Sequence, residues 1–327
     1  MPVSTIDVHH HWMPKEHFDN LERYLHPGER AVRDGEIVRI YRGETMVFAL
    51  NGPAHYLTER RLRDMDAANV NMAVLSTGLW HEWATIEMAR AINNGLADLQ
   101  REHPNRIVGL VHAPAFEEGA IEELERGIKE LDLRGVYMQV HSQGWYLHEK
   151  EYYPFYRKVA ELGVPIVVHG NTLPADSRLC AHHESLVGFA RTLDLSVAAV
   201  GLMASGIFEE LPNLRFVFAQ FAGGLFAHTG RLAEARGNRP GIPPPTSPLF
   251  AGRLLFDTAP ANWGQNEVTC AIENLGVNHI VFGSDYPIRP DLMLRARRLV
   301  DGMRTTSVER EKVCCGNAMS YFTRRVK

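Results

Sequence analysis

Three short apolar stretches of this chain end on residues that bind metal ions in proteins. The first runs over residues 5–11 and finishes with three consecutive histidines. Side chains two apart on a β-strand point the same way, so His9 and His11 share a face while His10 points opposite. Two imidazole nitrogens on rigid backbone suit Zn²⁺ and also accept Mn²⁺ or Fe²⁺.

The other two stretches supply a third histidine and a carboxylate. Residues 164–170 carry His169 after an Ile-Val-Val run, and residues 279–287 carry Asp285 after Ile-Val-Phe-Gly-Ser. A carboxylate at the end of an apolar strand is costly to bury unless it is paired or bound to a metal. Each residue alone has an ordinary explanation as a surface, core or turn residue. Together they predict a metal centre that leaves room for a further ligand.

A fold in which strand ends converge must position these ligands. Apolar runs rich in Val, Ile and Leu alternate with helix-period segments, which is typical of parallel strands covered on both faces. The predicted strands are residues 5–11, 71–77, 107–113, 135–140, 165–169, 214–220, 254–259 and 279–285. Eight strands alternating with helices predict an α/β fold, a (β/α)₈ TIM-like barrel with its site at the C-terminal mouth. A distorted barrel with seven strands stays open.

One segment interrupts this alternation. Residues 12–57 are too many for an ordinary barrel loop, and within them residues 36–42 and 45–50, split by Gly43, predict a β-hairpin. Because the segment follows the first strand, we expect it to lie over that strand's C-terminal end as a lid. No second domain is indicated, so residues 1–327 are interpreted as a single domain.

Composition excludes several classes of protein. The 327 residues include 35 Lys and Arg against 39 Asp and Glu, and the two signs are interspersed, which argues against nucleic acid or an anionic membrane as partner. Uninterrupted apolar runs reach eight residues at most, below the ~20 that span a bilayer. Neither a signal peptide nor a CxxC pair is apparent, so we expect a cytoplasmic enzyme that acts on a small molecule.

Two motifs at this separation form a specific pair. They are Ile-Asp-Val-His-His-His-Trp-Met-Pro at residues 6–14 and Phe-Gly-Ser-Asp-Tyr-Pro at residues 282–287. With them the chain resembles the amidohydrolase superfamily, and within it the amidohydrolase-related branch that includes aminocarboxymuconate-semialdehyde decarboxylase. The resemblance implies a barrel that holds one divalent ion, with Zn²⁺ expected ahead of Mn²⁺ or Fe²⁺, and a homodimer. Its implied ligands are His9, His11, His169 and Asp285.

The chain departs from this branch at the end of the sixth strand. The branch usually has a histidine there, whereas this chain has Gln220 in the sequence Phe-Ala-Gln-Phe-Ala-Gly-Gly. A glutamine donates and accepts hydrogen bonds but does not titrate. The substitution therefore weakens a decarboxylase interpretation and favours hydrolysis, in which Gln220 holds the substrate.

Our first hypothesis is accordingly a metal-dependent hydrolase acting on a small carboxylated or cyclic substrate. A metal-activated water would attack, and Asp285 would serve as general base and then as general acid. The alternative is a non-oxidative decarboxylase of an unsaturated or aromatic acid. A hydratase, a dinuclear-metal oxygenase that uses His182 or His183, and a non-catalytic homologue are less favoured.

Three residues are candidates for binding the substrate. Arg289 follows the Tyr-Pro pair, where an arginine could bind a carboxylate. Trp12 follows the first strand and could line an aromatic pocket. His182 follows the fifth strand at the rim of the predicted mouth. Surface exposure, rim packing and a solvated turn are the ordinary explanations for the three.

Overall fold

The computed structural model of the protein describes residues 4–77, 84–176, 184–237 and 240–323. The strands are β1 (Ile6–His11), β2 (Glu29–Asp34), β3 (Ile37–Arg42), β4 (Thr45–Asn51), β5 (Met72–Ser76), β6 (Ile107–Gly109), β7 (Val111–His112), β8 (Val136–Gln139), β9 (His141–Ser142), β10 (Trp145–Tyr146), β11 (Ile166–His169), β12 (Phe216–Phe218), β13 (Leu254–Asp257) and β14 (Ile280–Val281).

Helices follow most of the barrel strands. They are α1 (Lys15–Asp19), α2 (Gly52–Tyr56), α3 (Thr58–Ala67), α4 (Ile86–Glu102), α5 (Ala120–Lys129), α6 (Tyr153–Leu162), α7 (Glu184–Ala204), α8 (Ile207–Glu210), α9 (Gln220–Gly224), α10 (Thr229–Ala233), α11 (Gln265–Leu275), α12 (Leu292–Asp301), α13 (Ser307–Glu311) and α14 (Asn317–Phe322). The element α9 is a helix in hydrogen bonding only, because its backbone is left-handed.

The predicted TIM-like barrel is confirmed. The strands β1, β5 and β6 form one parallel run, and β7, β8, β11, β12, β13 and β14 form another. The N–H of Leu110, between β6 and β7, donates to the Leu75 carbonyl at 3.0 Å, so these two strands together fill the third barrel position. The Val8 N–H donates to the Phe282 carbonyl at 3.0 Å and closes the barrel between β1 and β14. The described residues therefore fill eight strand positions.

Several predicted strands end earlier than expected, and two of these early ends precede chemically important residues. β12 stops at Phe218 rather than at residue 220, and β14 stops at Val281 rather than at residue 285. In both places the backbone turns into positive φ, at 58° for Gln220 and 66° for Asp285. Both chemically important residues therefore follow their strands on turns, where a side chain can face across the barrel mouth.

The inserted segment contains a three-stranded antiparallel sheet in the order β2, β3, β4. The predicted hairpin corresponds to β3 and β4, which pair from Arg42 and Thr45 outwards. Sequence reasoning missed β2, an exposed edge strand with the charged sequence Glu-Arg-Ala-Val-Arg-Asp. The segment has its own small core, which also includes Leu173 after β11 and Val187 on α7. These contacts hold it against the C-terminal side of the barrel.

Helix α7 includes one segment, Leu186–Ala204, that could cross a membrane by length and composition alone. This is weak evidence, because core helices of soluble proteins meet the same criteria. Leu195, Ala198 and Leu202 of this helix pack in the main core of the barrel.

A buried carboxylate joins α4 to α5. The Glu123 side chain is fully buried and accepts hydrogen bonds from Asn93 at 2.7 Å and from Arg126 at 2.7 and 2.8 Å. Burial alone would raise its pKa, but the bonds from Arg126 and Asn93 outweigh burial and lower it. The stability that this carboxylate contributes is therefore present at neutral pH and is lost as the pH falls through its lowered folded-state pKa.

We expect Glu123→Gln to lower the free energy of unfolding at pH 7 by about 1–3 kcal/mol, because the variant loses the buried charge that accepts the bonds from Arg126. Urea unfolding followed by circular dichroism measures the change. Glu122→Gln, on the exposed face of the same helix, is the matched control. The difference between Glu123→Gln and wild type should shrink below about pH 4, and an equal loss in both variants would contradict the assignment.

Candidate metal centre

Three strands bring the predicted ligands together at the C-terminal mouth of the barrel. His9 and His11 lie on β1, His169 ends β11, and Asp285 follows β14 on a turn. The N–H of Asp285 donates to the His9 carbonyl at 3.0 Å, which fixes that turn against β1. The three histidine side chains are buried, and Asp285 is 13% exposed.

The four side chains form one cluster. One ligand atom from each of the four residues lies within 4.8 Å of the others. The three imidazole rings lie 4.9–5.1 Å apart between centroids and nearly perpendicular to one another. Oδ1 of Asp285 lies 3.0 Å from Nε2 of His11 and 3.4 Å from Nε2 of His9. Ligand atoms that each lie about 2.0–2.1 Å from a common ion must be about as far from one another as the Asp285 oxygen is from these two histidine nitrogens.

The hydrogen bonds of two histidines leave one ring nitrogen free for an ion. Nδ1 of His9 lies 2.8 Å from Oδ2 of Asp257, and Nδ1 of His169 lies 2.7 Å from the Gly170 carbonyl. Both oxygens only accept, so each Nδ1 carries the proton. Nε2 of both rings is buried without a hydrogen-bond partner among the described residues. Buried nitrogens without a partner, converging with a carboxylate, fit a divalent ion.

Burial and neighbouring charges shift the pKa values of the four clustered side chains in different directions. Burial lowers the pKa of His11, and it lowers the pKa of His169 well below the ordinary histidine value. Burial would also lower the pKa of His9, but the carboxylates of Asp257 and Asp285 outweigh burial and raise it. For Asp285, burial acts to raise the pKa, and the charge of His9 and the hydrogen bond from His11 hold it well below the ordinary value. Asp285 is therefore an anion and His169 a neutral ligand.

Asp257 is a site residue that sequence reasoning missed. Its fully buried carboxylate bonds His9 through Oδ2 and accepts the backbone N–H groups of Gln220 and Ala259 through Oδ1, both at 2.9 Å. The residue thus joins a metal ligand to the ends of β12 and β13. The signal that singled out Asp285, an aspartate closing an apolar strand, was also present at Phe256-Asp257.

His10 faces away from the cluster, as predicted. Its ring is fully buried, with Nε2 3.2 Å from Oδ2 of Asp7 and the ring centroid 5.0 Å from that of Tyr286. Oδ1 of Asp7 accepts the backbone N–H groups of His9 and Ser284. This pair therefore fixes the backbone on both sides of the barrel seam, next to the ligands of β1 and the turn that carries Asp285.

Gln220 lies at the site, but its backbone conformation differs from the strand that was predicted. It does not end β12 but begins the left-handed turn α9, in which the φ angles of Gln220, Phe221 and Ala222 are 58°, 49° and 49°. Its side-chain oxygen accepts a bond from Oγ1 of Thr192 at 3.4 Å. The residue lines the cavity next to the candidate ligands, on a left-handed turn instead of the strand that the sequence predicted.

The cluster opens on a cavity of about 350 Å³. His11, His169, Asp285 and Gln220 form its inner end, and the sheet of the inserted segment contributes Phe48 and Ala49. The remaining wall is mixed in character. It is formed by Gly170, Gly188, Arg191, Thr192, Leu195, Pro260, Asn262 and Ile288.

The structure places two of the other sequence candidates, Arg289 and Trp12, away from this cavity. The Arg289 guanidinium is 58% exposed and pairs with Asp291 at 3.0 Å at the surface. Trp12 is buried, and its ring packs so closely on Gly95 of α4 that a side chain there would clash. His182, with His183, lies outside the described residues. Arg191 lines the cavity instead, and no strand-end signal marked it because it lies on α7.

We expect Asp257→Asn to weaken metal binding about 10- to 100-fold, because its amide nitrogen cannot accept the bond from Nδ1 of His9. The dissociation constant measured by competition with a chelator tests this. Asp291→Asn, at the exposed aspartate that pairs with Arg289, is the control. Unchanged affinity in Asp257→Asn would remove its orienting role.

Comparison with known proteins identifies a family and relatives whose activities are named. Residues 6–323 match the family described as Amidohydrolase. The gamma-resorcylate decarboxylase of Polaromonas sp. strain JS666 is 28% identical over 296 residues, covering 85% of this chain and 83% of the relative. The 2-amino-3-carboxymuconate-6-semialdehyde decarboxylase of Dictyostelium discoideum is 24% identical over 342 residues, covering 97% and 91%.

A solved structure has the same fold. It is the dihydroxybenzoic acid decarboxylase of Polaromonas sp. JS666, with bound manganese and the inhibitor 2-nitroresorcinol. The TM-score is 0.77 at 24% identity, and the match covers 98% of this chain and 96% of the other. At this identity the likeness concerns the fold.

Proposed function

The chain belongs to the amidohydrolase family, and from that premise we propose that it is a metal-dependent, non-oxidative decarboxylase of a small aromatic or unsaturated carboxylic acid. Two relatives that cover most of the chain are named as decarboxylases of acids of these kinds. The comparisons do not support the hydrolase that the sequence favoured first, and they agree better with its stated alternative.

One observation carries the proposal: the His₃Asp cluster lies at the inner end of a cavity that suits a single-ring acid. Its volume of about 350 Å³ lies at the small end of the range for ligand pockets. Phe48, Leu195 and Ile288 offer apolar contacts to a ring, and Arg191 offers a cation to an acidic group. An anionic aromatic or conjugated molecule would contact both the apolar side chains and the cation of this wall.

His9 and His169 would hold the ion through Nε2, together with an imidazole nitrogen of His11 and the Asp285 carboxylate. When bound, a divalent ion polarises the oxygens of the substrate and neutralises their charge. We propose Mn²⁺, Zn²⁺ or Fe²⁺, since imidazole and carboxylate ligands accept all three.

In the reaction, the bond between the carboxylate carbon and the substrate breaks, and its electron pair stays on the substrate carbon. Asp285 takes up a proton from solvent water and delivers it to this carbon, hydroxide stays in the solvent, and carbon dioxide leaves. Oδ1 of Asp285 contacts His9 and His11, which leaves Oδ2 for the proton. Gln220 does not titrate, so its amide orients the substrate and does not deliver a proton.

We expect Gln220→Met to lower kcat/KM about 10-fold, because the variant keeps the length of the side chain and loses its hydrogen bonds to the substrate. Steady-state kinetics measures the effect. Gln143→Met is a matched control, since Gln143 also has positive φ, at 50°, and is exposed. Unchanged kinetics in Gln220→Met would show that the amide does not contact the substrate.

The experiment that tests the function is a panel of aromatic and conjugated carboxylic acids, given to metal-loaded protein in D₂O. A decarboxylase releases one carbon dioxide per acid consumed, and its product carries deuterium at the carbon that lost the carboxylate. Released ammonia or amine would identify a hydrolase, a hydrated product would identify a hydratase, and oxygen uptake would identify an oxygenase. Any of these three results would overturn the proposal.

Homodimerisation, a cytoplasmic location and the single domain over residues 1–327 stay predictions from the sequence. Size-exclusion chromatography with light scattering tests the first of them.

A further inference from the structure

A second cavity lies at the end of the barrel opposite the metal centre. It has a volume of about 620 Å³, and its wall includes the residues that precede the barrel strands β8, β11, β12 and β13. The C-terminal residues 320–323, at the end of α14 and just after it, close one side. We call it the basal cavity, and the residues that matter here are Arg134, Arg215, Arg253 and Tyr321.

Three guanidinium groups converge there because of strand order. Arg134 comes two residues before β8, and Arg215 and Arg253 come directly before β12 and β13. These strands belong to one parallel run with only β11 between β8 and β12, so their N-terminal ends lie side by side. The strand order therefore brings together three arginines that are far apart in the sequence.

Two of the arginines are fixed by backbone carbonyls. Arg215 donates to the carbonyls of Gly163 at 2.7 Å and Ser320 at 3.0 Å, and its guanidinium lies over the Tyr321 ring at 4.9 Å. Arg253 donates to the carbonyl of Phe208 at 2.6 Å. These bonds leave both groups positively charged and hold them beside the cavity.

Two polar groups of the basal cavity have no partner among the described residues. Nε of Arg134 is buried without a hydrogen-bond partner among them. The hydroxyl of Tyr321 is also buried without a hydrogen bond, and the residue as a whole is only 6% exposed. Burial raises the pKa of Tyr321, so the hydroxyl remains a donor. Buried donors in native proteins are nearly always satisfied, which points to an acceptor from outside the described residues.

Acidic residues at the rim do not neutralise this charge. Asp132 and Glu161 also line the cavity, against three arginines. The carboxylate of Glu161 pairs with Lys158 at 3.0 Å. The wall therefore keeps a positive balance, and it includes apolar contacts from Leu133, Val164 and neighbouring side chains.

We propose that the basal cavity binds a small organic acid, with its carboxylate on Arg134 and the Tyr321 hydroxyl and its apolar body against Leu133 and Val164. A planar guanidinium matches a carboxylate through two parallel hydrogen bonds. Because the cavity lies at the opposite barrel end, this site is separate from the metal centre and does not depend on the reaction proposed for it.

Isothermal titration of metal-loaded protein with benzoate tests the proposal, and inorganic phosphate serves as the oxyanion without an apolar body. We expect saturable benzoate binding that weakens about 10- to 100-fold in Arg134→Met and about 3- to 10-fold in Tyr321→Phe, the milder change. Arg289→Met, at an exposed arginine, should bind as wild type does. Weak or absent phosphate binding supports the role of the apolar wall.

Benzoate bound at the metal centre would survive both basal variants and would be lost in His9→Ala/His11→Ala. Binding that follows this second pattern alone overturns the proposal, as does an absence of saturable binding in wild type. Phosphate that binds as tightly as benzoate, with the same loss in Arg134→Met, would replace the organic acid by a simple oxyanion.

Discussion

Asp285→Asn is expected to lower kcat by about 10²- to 10⁴-fold while the protein stays folded. The carboxylate lines the cavity, contacts two histidines of the cluster and can carry a proton. The asparagine side chain has the same shape, so the turn after β14 should be kept. A backbone hydrogen bond from the N–H of residue 285 to the His9 carbonyl holds this turn in place. Turnover of the best acid from the panel, measured as carbon dioxide release, gives the ratio.

Two controls separate loss of chemistry from loss of metal. Metal content is measured on the same sample, and kcat is expressed per bound ion. Asp291→Asn, at an exposed aspartate six residues further along, should keep wild-type turnover. A wild-type kcat in Asp285→Asn would rule out the proposed proton transfer, whatever the substrate.

His9→Ala/His11→Ala is expected to reduce bound metal from about one ion per chain to below about 0.1, because two of four ligands are removed. Both side chains are buried at the mouth, and their ring centroids lie 5.1 Å apart. Elemental analysis of untagged protein measures the change. His103→Ala/His228→Ala removes two histidines outside the cluster and should keep the metal.

Different stoichiometries would change the assignment. About one Mn, Zn or Fe per wild-type chain, lost in the double variant, agrees with a mononuclear site. Near two ions per chain would direct attention to His182 and His183 and to oxygen chemistry. No metal after reconstitution of wild type would remove the basis of the decarboxylase proposal.

The sequence by itself determined the barrel and which four residues are candidate ligands. Strand periodicity is a local property, so the two-residue spacing of His9 and His11 and the apolar runs before His169 and Asp285 were sufficient. Parallel strands within a barrel must bring their C-terminal ends to one mouth, which made the four residues neighbours without any knowledge of side-chain contacts.

The edge strand β2 shows where local signals fail. Its sequence is charged and most of its residues are exposed, so no apolar alternation marks it. It forms a strand because β3 supplies hydrogen-bond partners over its whole length, from Asp34 opposite Ile37 to Glu29 opposite Arg42. Pairing with a neighbour therefore decided the conformation of this segment, and its side chains did not.

Only the tertiary structure decided which residues support and surround the ligands. Asp257 orients His9 across 248 positions of sequence, and Gln220 faces the cavity because a left-handed turn follows β12. Arg191 on α7, rather than Arg289, lies at the cavity. These outcomes depend on the register between strands and on how turns and helices pack against the mouth. Contacts between distant segments set these features, whereas residue type and spacing, which are local, were sufficient to select the candidate metal ligands.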